Sequence, residues 1–255
     1  MWSVMLRHCA RFAAGIALGA LVMASPPASA VGGADSHALD PDASPFGASY
    51  AEWSARQWQW LFSLPVTAHP LFETADCSAG QTGNVWFLGG TFLSTEVGPG
   101  VFLGEASRDC TIPSGTALFF PIADVECSTL EGNGETEEEL RDCANFYADF
   151  IVPGSLVLEI DGERLTNAED YRVESPLFTY GPLPEENVLG APAGATTPAV
   201  SDGVFVMLHP LSTGTHTIHF RGVIDVSSIG GPVFMLDIAY QITVVPAGQY
   251  SPPAP

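Results

Sequence analysis

FMLDIAYQITV, residues 234–244, is the stretch that decides the fold. Phe234, Leu236, Ile238, Tyr240, Ile242 and Val244 recur at period two, opposite Met235, Asp237, Ala239, Gln241 and Thr243. In an extended chain successive side chains point to opposite faces, so this is a long strand with one apolar side. An apolar side must be covered by a second layer. The period therefore favours a two-sheet sandwich over a lone meander.

Outward from this strand the same period returns. Val85 to Leu88, Thr116 to Phe120, Leu156 to Ile160 and Gly203 to Leu208 read as strands, and His216, Ile218 and Phe220 alternate with Thr215, Thr217 and His219. Asp161-Gly162 suits a tight hairpin turn, because both positions tolerate positive φ, with Glu163 to Leu165 as the return strand. One helix is sharply signalled. Ser49 and Glu52 have capping-box spacing, Tyr50, Trp53, Gln57, Trp60, Leu61 and Leu64 follow at helical spacing, and Pro65 ends the run. A second helix is predicted around Thr136 to Phe150, with Leu140, Cys143, Ala144 and Tyr147 on one face. Regular helices do not separate the strands, which disfavours a parallel α/β architecture. The expected fold is mainly β: an antiparallel two-sheet sandwich with a capping amphipathic N-terminal helix and a second short helix. It occupies residues 47–245 as one domain, between a loose tail over 31–46 and a second over 246–255. Residues 181–202 hold four prolines and read as a long excursion within that domain.

Charge narrows the function classes. The 255 residues carry 8 Lys+Arg against 29 Asp+Glu, a net charge of -21, and contain no lysine. A phosphate-backbone binder needs basic side chains to displace counterions, so no nucleic-acid partner is expected. At 46% hydrophobic the chain is too apolar for a disordered acidic segment. Residues 1–30 read as a signal peptide. Arg7, His8 and Arg11 precede an apolar run from Phe12 to Ala24, and Ala28-Ser29-Ala30 gives the small-x-small cleavage pattern. The run is about thirteen residues, short of the roughly 20 that span a bilayer. The expectation is an exported protein, periplasmic or extracellular, with no membrane span after cleavage.

Four cysteines follow the leader: Cys77, Cys110, Cys127 and Cys143. An even number in an exported chain reads as two disulfides, with three pairings open. The sequential pairing Cys77–Cys110 and Cys127–Cys143 is preferred, because a closed loop of roughly 16 residues is worth about 3 kcal/mol and would staple the acidic segment between the last two. A tetrahedral zinc site is the alternative, against which stands the lack of a C-x-x-C pair.

YAEWSARQWQWLFSLP, WFLGG, LFFPI, ECSTLEG, SPLFTYG, NVLG and LSTGTHTIHF together resemble a broad group of uncharacterised secreted bacterial proteins, over roughly residues 46–245. The resemblance implies export and a single domain. It carries over no activity and no site residue.

The chemistry must be sought in the residues themselves. The sequence lacks an H-E-x-x-H zinc helix, a Walker loop, a dinucleotide-binding fingerprint and a G-x-S-x-G elbow. Asp124 and Glu126 are the best acid pair, placed after the apolar Leu118–Ile122 run on what reads as a disulfide-tethered loop. With Glu52 or Glu73 they are candidates for the two carboxyl groups of a glycosidase. Of the histidines, His216 on the Ile218/Phe220 face reads as a hydrogen-bonded core residue rather than a ligand; His69, His209 and His219 have no ligand spacing. No cofactor is predicted. Glu131, Asn133 and Glu135 are candidate oxygen ligands for calcium, against a plain solvated acidic loop as the favoured alternative. Trp58 and Trp86 are the binding candidates. If Trp53 and Trp60 pack inward, Trp58 is rotated away from them and offers its ring to the apolar face of a sugar. Three functions stand side by side: a non-catalytic carbohydrate or cell-surface binding module, a secreted hydrolase, and a structural envelope protein.

Overall fold

The computed structural model describes residues 37–72 and 77–251. The leader over residues 1–30 and Glu73 lie outside these. Helix α1 spans Tyr50–Phe62 and is followed by strands β1 (Val85–Phe87), β2 (Thr95–Gly98), β3 (Val101–Pro113) and β4 (Ala117–Ser128). Helix α2 (Glu137–Ala148) then leads into β5 (Val157–Ile160), β6 (Glu163–Arg164), β7 (Arg172–Glu174) and β8 (Phe178–Tyr180). Three long strands close the fold: β9 (Thr197–Leu208), β10 (Gly214–Asp225) and β11 (Val233–Val245).

The strands form two sheets. The first runs β1-β4-β9-β7, with β8 also on β9; the second runs β2-β3-β11-β10-β5-β6. The sandwich is as expected, but both sheets are mixed rather than antiparallel. β1 lies parallel to β4, and β3 lies parallel to β11 over its whole length, from Val101 opposite Val233 to Pro113 opposite Val245. Parallel neighbours need a long crossover, and here the chain builds most of the first sheet between β3 and β11.

β3 is the strand that the sequence concealed. Its inward positions are Gly104, Ala106, Arg108, Cys110 and Ile112, too small or too polar to register as an apolar stripe. β11 behaves as its period requires, with Ile238, Tyr240, Ile242 and Val244 buried. Aromatic rings join the sheets across the interior: Phe120 of β4 stacks on Phe220 of β10 at 5.2 Å, and Phe220 lies 6.3 Å from Tyr240 of β11. The outer face of the first sheet carries Phe119 and Phe205, stacked at 5.6 Å, with Tyr50 of α1 edge-on to Phe119 at 5.8 Å. The layers are therefore α1, first sheet, second sheet.

Local chemistry fixes both helices. Ser49 and Glu52 form the capping box expected for α1, and Thr136 with Glu139 forms another for α2. The preferred disulfides are both present, with Cα separations of 5.7 Å for Cys77–Cys110 and 6.1 Å for Cys127–Cys143. The second bolts α2 to β4. Ion pairs add to it, from Arg141 to Glu137 and Glu174 and from Arg172 to Asp149 and Asp202. Parts of both expected tails are held. Leu39 N–H donates to Met207 O at 2.8 Å, and Tyr250 packs edge-on against Trp86 at 5.7 Å.

The face assignment of β11 gives a direct test. Asp237 points outward, where it accepts from His219 Nε2 at 2.7 Å and from Arg221 Nε at 3.2 Å. Asp237→Leu loses exposed ion pairs, worth about 1 kcal/mol or less. Ile238→Asp buries a carboxylate without a partner and is expected to cost several-fold more, on the order of 3 kcal/mol or above. Paired denaturation curves measure the difference; equal losses would mean that the strand faces are reversed.

Candidate functional site

The candidate site grows out of an irregularity in β4. β1 pairs with β4 only from Ala117 to Phe119, so the edge of β4 beyond Phe119 has no strand partner on that side among the described residues. On its other side β4 stays paired with β9, but the register slips between Pro121 and Ala123. Pro121 has no N–H to offer a ladder and is tolerated at such a place. A bulge bends its strand and re-aims the side chains that follow. Here those are Asp124 and Glu126.

Glycines let the surrounding backbones close in. A Cβ on Gly222 of β10 would stand 2.8 Å from Ile122 O, and one on Gly203 of β9 would stand 2.5 Å from Asp124 Cα. The result is a cleft of about 110 Å³ between the free edge of β4, α1, the Gly89–Ser94 segment and the near ends of β3, β10 and β11. A water needs about 10–15 Å³ on this measure, so the cleft accommodates several waters or a small organic group. Its walls are largely apolar, with Leu61, Phe92, Phe102, Phe234 and Leu236 among them.

Asp124 and Glu126 are the only charged side chains lining the cleft among the described residues. They do not sit on an exit loop, as the sequence suggested. β4 runs on to Ser128, and the two acids lie within it, two residues apart and on one face. Cys127, between Glu126 and Ser128, faces the other way to bond α2. Glu126 is 4% exposed and Asp124 half-buried. Loss of solvent disfavours their charged forms, pushing each up to about 7, and Asp124 adds to the effect on Glu126.

Neither Glu126 oxygen has a hydrogen-bond partner in geometric reach among the described residues. The Ser128 hydroxyl, farther along the same face, accepts from Tyr180 and lies 3.4 Å from Glu131, and its nearness to Glu126 opposes part of the rise that burial causes. Two more unpartnered atoms come from α1: Gln57 Oε1 and Trp58 Nε1. Gln57 spends its Nε2 on Leu88 O at 2.6 Å, which fixes the amide with its oxygen unserved. Buried polar atoms without partners are uncommon in folded proteins. Those of Glu126, Gln57 and Trp58 all belong to side chains that line one cleft.

Several residues singled out from the sequence have other roles. Trp58 is 2% exposed and stacks on Phe62 at 5.4 Å, and Trp86 is 6% exposed beneath Tyr250, so neither offers a ring face as a surface platform. The expectation that Trp58 turns to solvent fails, because it lines the cleft beside β4 and shares an apolar cluster with Tyr180 of β8 and Ala199 of β9. Tyr180 at the end of β8, with Leu183 and Val188 of the proline-bearing excursion, completes that cluster over the ring. Glu52 is fully committed to the capping box and faces solvent, far from service as a second catalytic carboxyl. In the proposed calcium loop, Asn133 Oδ1 accepts from Ser128 N at 3.0 Å and Glu131 accepts from Ser128 Oγ, while Glu135 is exposed. No group of three or more His, Cys, Asp or Glu suited to a metal occurs among the described residues.

The histidines divide by environment. His69 is buried, accepts from Leu71 N and faces Leu61 O through Nε2; burial pushes its pKa down to about 4, so the ring is neutral. His209 is exposed, with its backbone N–H bonded to His37 O. His219 pairs with Asp237 on the outer face of the second sheet. His216 is the hydrogen-bonded core histidine that its strand position implies, with partners that alternation does not reveal. Nδ1 lies 2.7 Å from Asp161 Oδ2, and Nε2 lies 2.9 Å from Ser212 O and 3.3 Å from Ser212 Oγ. This has the order of a Ser–His–Asp triad without its chemistry. Nε2 lies nearer the Ser212 carbonyl oxygen than the Ser212 hydroxyl, so the hydroxyl is not the ring's closest partner. The cluster instead braces the Asp161-Gly162 turn against the β9–β10 turn.

No family model matches the chain, and no curated protein matches it. Among solved structures, a cysteine protease inhibitor, EhICP2, from Entamoeba histolytica aligns with 13% identity, covering 58% of this chain and all of that one, at a TM-score of 0.20. A likeness that shallow carries no argument. Among the described residues no helix is long and apolar enough to cross a membrane.

Proposed function

We propose that the chain is an exported, non-catalytic binding module that takes its ligand into the cleft beside β4. The observation that carries this reading is the set of unpartnered buried polar atoms on Gln57, Trp58 and Glu126, which folding leaves unserved in one largely apolar cavity. Small-molecule sites have this composition: apolar walls with few, placed polar groups. The two disulfides and the leader pattern support export, since such bonds persist in oxidising compartments.

Hydrolysis is the weaker alternative. A glycosidase places its two carboxyl groups on either side of the scissile bond. Asp124 and Glu126 stand on one strand and one face, and the cleft wall opposite them is formed by uncharged residues such as Gly222, Ile224 and Phe234.

A thermal-shift panel of mono- and disaccharides, alcohols and amines tests the reading. A ligand present at 100 times its Kd adds about 2.7 kcal/mol to folding stability. Gly90→Leu is the control, because a side chain from Gly90 enters the cleft and its first carbon meets Leu236 only at 3.4 Å. The expected result is stabilisation of the native protein by some panel member and its loss in Gly90→Leu. Turnover of a glycoside that stops in Asp124→Asn would transfer the assignment to the hydrolase, and silence across the panel to an envelope role.

A further inference from the structure

We infer that the cleft beside β4 selects a primary ammonium group carried on a short apolar chain. This rests on the binding reading above and names the chemistry of its ligand. The side chains that line the cleft hold four unpartnered buried atoms: three oxygens (Gln57 Oε1 and both oxygens of Glu126) and one donor, Trp58 Nε1–H. Asp124 adds further acceptor capacity on the same wall. A ligand that relieves this imbalance must be rich in donors. An ammonium has three donors and no acceptor, whereas an alcohol has one donor and itself brings two lone pairs to be served.

Charge points the same way. A carboxylate in an apolar cavity lacks the counter-charge that makes its burial tolerable, and a ligand cation supplies it. Among the described residues lining the cleft there is no basic side chain to fill that role. Nor does a second copy bring a lysine side chain, because the sequence contains none. The net charge of -21 draws cations towards the molecule as a whole. The remaining walls, with Leu61, Phe102, Phe234 and Leu236, suit methylene groups attached to the cationic head.

A metal ion fits less well. Calcium takes 6–8 oxygen ligands, and among the described residues the walls bring only two carboxyl groups, Asp124 and Glu126, while the oxygens of Thr91 and Asn133 already hold hydrogen bonds. A free alkylamine and the lysine side chain of another protein present the same group, a chain of methylenes ending in an ammonium. Both are therefore arms of the test.

The full chain is titrated by calorimetry and indole fluorescence at about pH 8, where the carboxyl groups are ionised, with n-pentylamine, with 1-pentanol, and with an N-acetylated peptide containing a single lysine. The proposal predicts saturable binding of pentylamine or the lysine peptide, at least tenfold tighter than that of pentanol. Glu126→Gln is expected to abolish that preference while circular dichroism and thermal unfolding show a folded chain. Asp124→Asn, farther towards solvent, is expected to weaken the amine less. Tighter binding of the peptide than of the free amine would identify a protein as the source, and the reverse a small molecule. If pentanol binds as tightly as pentylamine, the cation inference fails while the binding reading stands. If neither amine, peptide nor alcohol binds, the cation inference falls, and the binding reading falls with it when the saccharides are silent too. Unchanged amine affinity in Glu126→Gln also overturns the proposal.

Discussion

Glu126→Gln is expected to make the protein more stable near neutral pH, by on the order of 3 kcal/mol. Burial holds the folded Glu126 at about 7 against an ordinary 4.5. Below about pH 4.5 both folded and unfolded chains keep the proton, and the group contributes no pH dependence. Between pH 4.5 and 7 the unfolded chain gives up its proton while the folded chain retains it. Stability therefore falls as pH rises through this window, then levels off above the folded value. Asp124 is raised to about 7 as well, so the two titrate as a coupled pair and the decline belongs to both. Glutamine keeps the shape and has no charge to bury. The stability difference between variant and native protein should open with rising pH across that window. Parallel pH–stability curves for the two proteins would show that the Glu126 carboxyl is solvated after all. Coupled with the ligand experiment, this gives the signature of a site held at the expense of stability: the variant gains folding free energy and loses the ammonium.

The second large effect is expected at Gly203, directly opposite Asp124 in the β4–β9 ladder. An added Cβ would lie 2.5 Å from both Asp124 Cα and Cβ and 2.6 Å from Ala123 O. Two of these are backbone atoms, so no side-chain rotation relieves the clash and the strands must part at the bulge. Gly203→Ala should cost about 3 kcal/mol or more, lowering Tm by roughly 6–12 °C for a domain of this size. Gly154→Ala is the matched control. Nothing lies within 4 Å of a Cβ there, and its effect should stay within about 0.5 kcal/mol. Calorimetric melts of the two variants compare them. A mild Gly203→Ala would mean that β4 and β9 are not so closely apposed.

What is legible in the sequence follows from how local each signal is. The capping box at Ser49/Glu52 and the alternation in β11 are written within a few residues. The disulfides are legible because the sequential pairing closes the shortest loops. β3 is hidden for the opposite reason: Gly104 and Ala106 make room for neighbours, and Arg108 reaches Gly89 O and Tyr240, so its burial depends on distant segments. The acids stand out as a pair, but alternation with Val125 and Cys127 makes them look solvent-facing. Their burial is imposed by α1 and by the bulge at Pro121. Trp58 shows the same limit: periodicity separates it from Trp53 and Trp60, but β8 and the distant residues Leu183 and Val188 determine that it is buried. Gln57 contributes to the helical stripe and gives no sign of its unserved oxygen. That depends on Leu88 O, on the far side of a connecting segment.

The parallel pairing of β3 with β11 also constrains when the molecule can fold. It joins segments roughly 130 residues apart, the kind of contact that slows folding because a long loop must close before it is rewarded. β11 also lies between β3 and β10, so until it is in place the second sheet is two separate pieces. β2 and β3 make one piece, and β10 with β5 and β6 make the other. Neither piece forms the continuous layer that covers Phe120 and its neighbours. The core therefore closes late, when the last long strand becomes available. For a chain that is exported as proposed, that delay keeps the polypeptide threadable through a narrow channel until β11 has been made.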